Sequence, residues 1–91
     1  MKNKQKVLFV CTGNSCRSQI AEGLLRYMAN EYFDVFSAGS HPSRVHQNAI
    51  SVMDAVKIDI SDQTSDGIDQ YLDAGIDIVI TVCDNAKQIC P

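Results

Sequence analysis

A cysteine and an arginine enclose a short run of small and polar residues near the start of the chain. The run reads C-T-G-N-S-C-R-S from Cys11 to Ser18. Backbone N–H groups of such a loop can turn inward, and a helix that begins at its end adds positive potential, so the loop can hold a tetrahedral oxyanion. Arg17 adds a planar fork of donors that suits two anion oxygens. The predicted oxyanion-binding residues are Thr12, Gly13, Asn14, Ser15, Cys16 and Arg17.

Cys11 is the candidate nucleophile of this loop. The positive field of the loop and of Arg17 favours the thiolate form of a cysteine. Ser18 can donate a hydrogen bond to that thiolate, or to the sulfur when it is a leaving group. Cys16, at the start of the helix, is predicted to be a small buried side chain, with a protective partner for oxidised Cys11 as the alternative. The competing interpretation of the whole run is a glycine-containing turn with a buried cysteine.

Composition places the chain among small domains that do not bind nucleic acid or membrane surfaces. It has 91 residues, a formal net charge of −3 and four cysteines, none in a C-x-x-C pair. Cysteines of a reducing compartment are more often catalytic or redox-active than structural. The sequence shows no signal-peptide pattern and no apolar run near the ~20 residues that span a membrane. We therefore predict a cytoplasmic protein.

Strand-like and helix-like patterns alternate along the chain in the order β-α-β-α-(α)-β. This alternation predicts a parallel sheet with right-handed crossovers, and ligands of such folds lie beyond the carboxyl ends of the strands. Cys11 follows the first strand and Cys83 follows the last, so both can meet at one edge. The predicted strands are 6–10, 35–38 and 76–82, and the predicted helices are 17–30, 45–56 and a short helix that has Ser65 or Asp66 as its N-cap and ends near Asp73.

Apolar spacing also predicts which side chains of these elements are buried. The last strand, I-D-I-V-I-T-V, is the strongest strand pattern of the chain and is expected to be buried. In the first helix, the spacing separates an apolar side from a polar one. The residues predicted to face the core are Ile20, Leu24, Tyr27 and Met28, and those predicted to face water are Glu22, Arg26 and Asn30.

The sequence resembles the low-molecular-weight protein tyrosine phosphatase superfamily and, within it, the thioredoxin-coupled arsenate reductases. The resembling motifs are V-C-T-G-N-S-C-R-S-Q-I-A-E-G (10–23), S-A-G (37–39), I-D-I-S-D-Q-T-S-D (58–66) and T-V-C-D-N-A-K-Q-I-C-P (81–91). The phosphatase branch shares the first loop but is not expected to carry the pair Cys83 and Cys90. The resemblance implies a three-layer α/β fold whose parallel sheet holds strands one to three of the phosphatase-like fold, in a single domain over 1–91.

The resemblance also implies a relay of three cysteines. Cys11 attacks arsenate, Cys83 attacks Cys11 with release of arsenite, and Cys90 then attacks Cys83. The resulting disulfide is reduced by thioredoxin. Cys83 and Cys90 are seven positions apart, which in a helix is ~10 Å along the axis and beyond disulfide reach. A helical segment between them would have to unwind.

Further expectations from the resemblance concern ligands and completeness. A potassium ion is implied below the loop, held by Asn14, Glu22, Ser37 and Asp66, and no cofactor is required. The expected partners are an arsenate, phosphate or sulfate oxyanion and thioredoxin, and the protein is expected to be a monomer. The family's Asp-Pro segment, fourth strand and last helix are expected to be missing, which leaves the domain incomplete at its C-terminus. Two alternatives stay open: a low-molecular-weight protein tyrosine phosphatase, and an inactive fragment or oxyanion-binding module.

Overall fold

A three-stranded parallel sheet forms the centre of the fold, in the order β2-β1-β3. The structure is a computed structural model that describes residues 4–14 and 16–82. The predicted α/β class with parallel strands is confirmed. In chain order the elements are β1 (Gln5–Cys11), α1 (Arg17–Ala29), β2 (Phe33–Gly39), α2 (Gln47–Ala55), a 3-10 helix (Ile68–Tyr71) and β3 (Ile78–Thr81).

Helical segments lie on both faces of this sheet. On one face, Val7, Phe9 and Val35 pack against α1. Successive strand residues point to opposite faces, so Phe36 lies on the other face, where its ring centroid is 5.4 Å from that of Tyr71 in the 3-10 helix. No helix of the described residues has the length and apolar character that a membrane crossing requires.

The buried side of α1 differs from the predicted one. Glu22 is buried rather than solvated, while Tyr27 and Met28 are exposed. Gly23 explains the orientation, because a Cβ there would lie 2.6 Å from Ile60 Cγ2. The helix therefore turns its small and polar side inward, and the buried polar groups are stabilised by hydrogen bonds rather than by solvent.

A second apolar cluster lies between α1, α2 and the chain that follows α2. Its buried members are Cys16, Ala49, Met53, Ile58 and Ile60. Ile58 and Ile60, in the irregular segment that follows α2, are core residues. This cluster fixes the start of α1, where Cys16 is buried.

The last strand is shorter and more exposed than predicted. All four residues of β3 are exposed, because within the described ranges β3 pairs with β1 alone and its outer edge has no neighbour. Lys6 binds the segment that precedes β3. The Lys6 N–H donates to Asp77 Oδ2 at 2.8 Å, and Lys6 Nζ donates to Ala74 O at 2.7 Å. The short helix is also of the 3-10 type and follows Gly67, not Ser65 or Asp66.

Candidate oxyanion site

The loop between β1 and α1 surrounds the sulfur of Cys11. Cys11 is the last residue of β1 and is 4% exposed. Its Sγ accepts a hydrogen bond from the backbone N–H of Asn14 at 3.0 Å and lies 3.0 Å from Ser18 Oγ. α1 begins at Arg17 with Cys16 as its N-cap residue, so the positive end of the helix dipole is at the loop. The sulfur of the predicted nucleophile thus has a backbone donor, a hydroxyl group and a helix N-terminus around it.

The carbonyl groups of residues 11–14 point away from the sulfur. Each of these four accepts a hydrogen bond from a group outside the loop or on its far side. The pairs are Cys11 O with Ser40 N (3.2 Å), Thr12 O with His41 N (2.8 Å), Gly13 O with Ser65 Oγ (3.0 Å) and Asn14 O with Gln19 Nε2 (2.9 Å). In a trans peptide the N–H points opposite to the C=O, so the N–H groups of Thr12, Gly13 and Asn14 point inward, where an anion can accept from them.

Asn14 has the most constrained conformation in the loop. Its φ is +47°, a left-handed value that asparagine tolerates better than most residues. The Asn14 N–H donates to Cys11 Sγ. The Asn14 Oδ1 accepts from Ser18 Oγ at 2.8 Å and from Gln19 Nε2 at 3.1 Å. The asparagine therefore connects the nucleophile to the first turn of α1.

Ser18 lies between the sulfur and this amide. A hydroxyl carries one proton, which can go either to Asn14 Oδ1 or to the sulfur. With a Cys11 thiol, the S–H can donate to Ser18 Oγ while the serine donates to the amide. With a thiolate, the serine proton can turn to the sulfur. This switch supports the predicted role of Ser18 without any movement of heavy atoms.

Arg17 connects the loop to the end of β3. Its Nη1 donates to Val82 O at 3.4 Å, and Val82 N donates to Val10 O at 2.9 Å. Val82 immediately precedes Cys83 in the sequence. The predicted site residues Ser15, Cys83 and Cys90 lie outside the described residues.

Gly39, at the end of β2, packs against the backbone of the loop. Its N–H donates to Asp66 O at 2.9 Å. A Cβ at this position would lie 2.5 Å from Thr12 O, 2.9 Å from Asn14 N and 3.0 Å from Cys11 O. The loop backbone approaches β2 as closely as it does only because residue 39 is glycine.

The four residues predicted to hold potassium do lie together below the loop. Ser37 Oγ donates to Glu22 Oε1 at 2.5 Å. The Asn14 amide nitrogen donates to Ser37 O at 3.3 Å and to Asp66 O at 3.5 Å. The Asp66 carboxylate accepts from the hydroxyls of Thr64 and Tyr71.

These residues, as arranged, do not fit a potassium ion. A hard cation needs several oxygens directed at one point, and Asn14 instead directs its NH₂ group there. The amide orientation is fixed by Gln19 Nε2, which donates to Asn14 Oδ1 and also to the carbonyl oxygens of Asn14 and Thr64. No buried side-chain polar atom in the described part of the chain lacks a partner. Arg26, predicted from the sequence to face water, belongs to this site. Its guanidinium contacts Glu22 Oε2, and its Nη2 donates to Val35 O at 2.6 Å. The sequence contained its signal, because Glu22 and Arg26 are at i,i+4 spacing.

Tyr71 gives the stability a dependence on alkaline pH. Burial, together with the adjacent Asp66 carboxylate, raises the pKa of Tyr71 to about 12. Between the unfolded pKa of Tyr71, ~10, and this value, the unfolded chain loses a proton that the folded chain retains. The contribution of Tyr71 to the free energy of unfolding is complete below pH ~10 and is lost as the pH rises towards about 12. We expect Tyr71→Phe to flatten this decline in urea unfolding measured from pH 9 to 11.

Tyr27→Phe is the matched control, because Tyr27 is an exposed tyrosine on α1. That variant should keep the alkaline decline of the parent protein. An equal slope in Tyr71→Phe and in the parent would contradict the assignment to Tyr71.

Comparison with known proteins connects this geometry to one family. The family model described as low molecular weight phosphotyrosine protein phosphatase matches residues 6–91. An arsenate reductase from Halalkalibacterium halodurans is 48% identical over 89 residues, which cover 98% of this chain and 64% of that relative.

Solved structures agree with the sequence comparison. An arsenate reductase in the phosphate binding state superposes with a TM-score of 0.81 at 48% identity, over 87% of this chain and 60% of that chain. The thioredoxin-dependent arsenate reductase of Corynebacterium glutamicum gives a TM-score of 0.82 at 32% identity, over 99% of this chain and 45% of that chain. The chain spans less than two thirds of the length of each of these three relatives.

Proposed function

Because the chain belongs to the low molecular weight phosphotyrosine protein phosphatase family, we propose that Cys11 attacks arsenate and starts a cysteine relay that reduces it to arsenite. The observation that carries this proposal is the Cys11 sulfur within hydrogen-bond distance of Asn14 N and Ser18 Oγ, inside a loop whose carbonyls point outward. An arsenate reductase is 48% identical to the chain, which supports arsenate as the oxyanion.

In the first step, the Cys11 thiolate forms an S–As bond with arsenate. One arsenate oxygen takes up protons from solvent and leaves as water. Arg17 and the inward N–H groups neutralise the remaining oxygens, because donors fixed in place before the reaction stabilise developing charge best. Arsenic remains in the +5 state at this point.

In the second step, the Cys83 thiolate attacks Cys11 Sγ. The S–As bond breaks, its electron pair stays on arsenic, and arsenite in the +3 state leaves with protons from solvent. The product is a Cys11–Cys83 disulfide. Cys90 then attacks Cys83, which frees the Cys11 thiolate and forms a Cys83–Cys90 disulfide. The contact between Arg17 and Val82, the residue before Cys83, supports an approach of this segment to the loop.

Two electrons per cycle must come from an external dithiol. A relative with a TM-score of 0.82 is a thioredoxin-dependent arsenate reductase, so we propose thioredoxin as the reductant. The reaction then needs no metal or organic cofactor and takes place in the cytoplasm, with the protein acting as a monomer. Within the described residues, no cluster of three or more histidine, cysteine or carboxylate side chains could hold a metal.

Cys83→Ser tests the relay. Serine cannot attack the Cys11 sulfur to form a disulfide, so we expect arsenite release to fall by about 10³-fold or more, measured with arsenate, thioredoxin and its reductase. Phosphate binding should persist. Cys90→Ser is the matched control: it should release about one arsenite per chain and then stop, because the first disulfide forms but cannot be passed on. Sustained turnover in Cys83→Ser would refute the relay.

Hydrolysis of phosphate esters is the second candidate, because the same loop can hold a phosphoryl group and the family model is that of phosphatases. This activity needs Cys11 and Arg17 but not the distant cysteines. Turnover of p-nitrophenyl phosphate that is efficient and unchanged in Cys83→Ser would favour it. Phosphate binding with neither activity would indicate an oxyanion-binding module.

A further inference from the structure

We propose that Arg26 supplies the positive charge of the polar cluster formed by Asn14, Glu22, Ser37 and Asp66. We also propose that Arg26 positions the oxyanion loop for anion binding without potassium. The proposal rests on the oxyanion-binding part of the proposed function, and not on the reduction of arsenate. Arg26 is therefore a positioning residue, since it acts on the anion through other groups.

The negative charge of Glu22 is buried beside Arg26. Glu22 is 8% exposed, and a buried carboxylate is costly unless a cation and hydrogen bonds compensate it. Both of its oxygens have donors: Ser37 Oγ on Oε1 and the Arg26 guanidinium on Oε2. Arg26 lies one turn further along α1, so its side chain reaches Glu22 without any change in the fold.

Hydrogen bonds connect Arg26 to the predicted nucleophile. Glu22 holds the Ser37 hydroxyl, and Ser37 O accepts from the Asn14 amide at 3.3 Å. The Asn14 N–H donates to Cys11 Sγ. The Arg26 charge is thus connected to the reactive sulfur by a short sequence of side-chain and backbone contacts.

A second route connects the same guanidinium to the same asparagine. Arg26 Nη1 donates to Gln63 Oε1 at 3.1 Å. Gln63 Nε2 donates to Gln19 Oε1 at 2.7 Å, and Gln19 Nε2 donates to Asn14 O at 2.9 Å. Gln19 is fully buried, so it has no water to replace these partners. Both routes end on Asn14, whose N–H donates to the sulfur.

The Arg26 guanidinium disfavours a second cation beside Glu22. A potassium ion beside Glu22 would face the like charge of the guanidinium in a partly buried site, where repulsion is weakly screened. It would also face the NH₂ group of Asn14 rather than an oxygen. Arg26 lines an open cleft of about 300 Å³ together with Tyr27 and Lys57.

Phosphate affinity, measured by calorimetry, tests this proposal. In the unmodified protein, exchange of sodium for potassium should leave the Kd for phosphate unchanged within about twofold. Arg26→Gln should weaken phosphate binding by about fivefold or more, and Arg26→Lys should restore most of the affinity, because it returns a cation. Lys4→Gln is the charge-matched control: it removes one positive charge at an exposed site beside Asp34 and should change Kd little.

Thermal unfolding separates positioning from general damage. Arg26→Gln leaves Glu22 uncompensated and should lower the Tm, whereas the double variant Glu22→Gln with Arg26→Gln removes both charges and should recover part of the Tm. Tighter phosphate binding in potassium for the unmodified protein, or a Kd unchanged in Arg26→Gln, would overturn the proposal. Phosphate binding needs neither Cys83 nor thioredoxin, so failure here is distinct from failure of the arsenate relay.

Discussion

Cys11→Ser is expected to abolish arsenate reduction, with a loss of about 10⁴-fold or more, because removal of the nucleophile of a covalent mechanism removes the reaction path itself. A serine hydroxyl in the same loop can neither form an S–As bond nor accept attack by Cys83 as a disulfide partner. Arsenite release in a single turnover is the appropriate measurement, because it does not depend on thioredoxin.

The same variant should retain phosphate binding within a few-fold. The donors that face the anion are backbone N–H groups and Arg17, and they do not require the sulfur. Ser18→Ala is the matched control, because it removes one hydrogen bond to the sulfur and should reduce the rate by about tenfold rather than abolish it. Residual arsenate turnover in Cys11→Ser comparable to that of Ser18→Ala would rule out Cys11 as the nucleophile.

Gly39→Ala is expected to destabilise the protein by about 3 kcal/mol or more and to disrupt anion binding. The added Cβ would lie 2.5 Å from Thr12 O and 2.9 Å from Asn14 N. Both are backbone atoms, so no side chain can rotate away, and either the loop or the end of β2 must move. Urea unfolding and phosphate calorimetry measure the two effects.

Gly67→Ala is the matched control for Gly39→Ala. The two glycines form a bridge between neighbouring segments, but a Cβ at residue 67 would meet only Pro42 Cγ at 3.7 Å. The φ of Gly67 is −84°, which alanine adopts easily. The stability of Gly67→Ala should therefore stay within about 0.5 kcal/mol of the parent. Similar losses in both variants would show that contact with the loop is not the cause.

The sequence predicted the sheet and the loop because their signals are local. A continuous apolar run from Val7 to Val10, followed by a glycine-containing turn and a helical period, is sufficient to place Cys11 at the carboxyl end of a parallel strand. The resemblance to the family, which rests on this motif and on three further motifs, is confirmed by the match over residues 6–91. The roles of the predicted site residues stay predictions, including those of Cys11, Arg17, Ser18, Ser15, Cys83 and Cys90.

The orientation of α1 could not be predicted from apolar spacing alone. Leu24, Tyr27 and Met28 predicted one buried face, whereas close packing of Gly23 against Ile60 selected another. Such a contact joins residues 37 positions apart in the sequence, so no local period contains it. Burial of β3 was predicted wrongly for a related reason: an apolar pattern shows that a strand can be covered, but not which segment covers it.

The outward carbonyls of the loop have a consequence for how the protein discriminates among ligands. Cys11 O, Thr12 O and Gly13 O are each held by residues between 40 and 65, so the receptor is preorganised when the domain folds. Little conformational entropy is then left to lose when an anion arrives. Rotation of any one of these peptide planes would break a bond to a distant segment and turn a carbonyl oxygen towards the ligand. We therefore expect the loop to select for negative charge by the same contacts that hold the domain together, and its affinity for oxyanions to decline together with the stability of the fold.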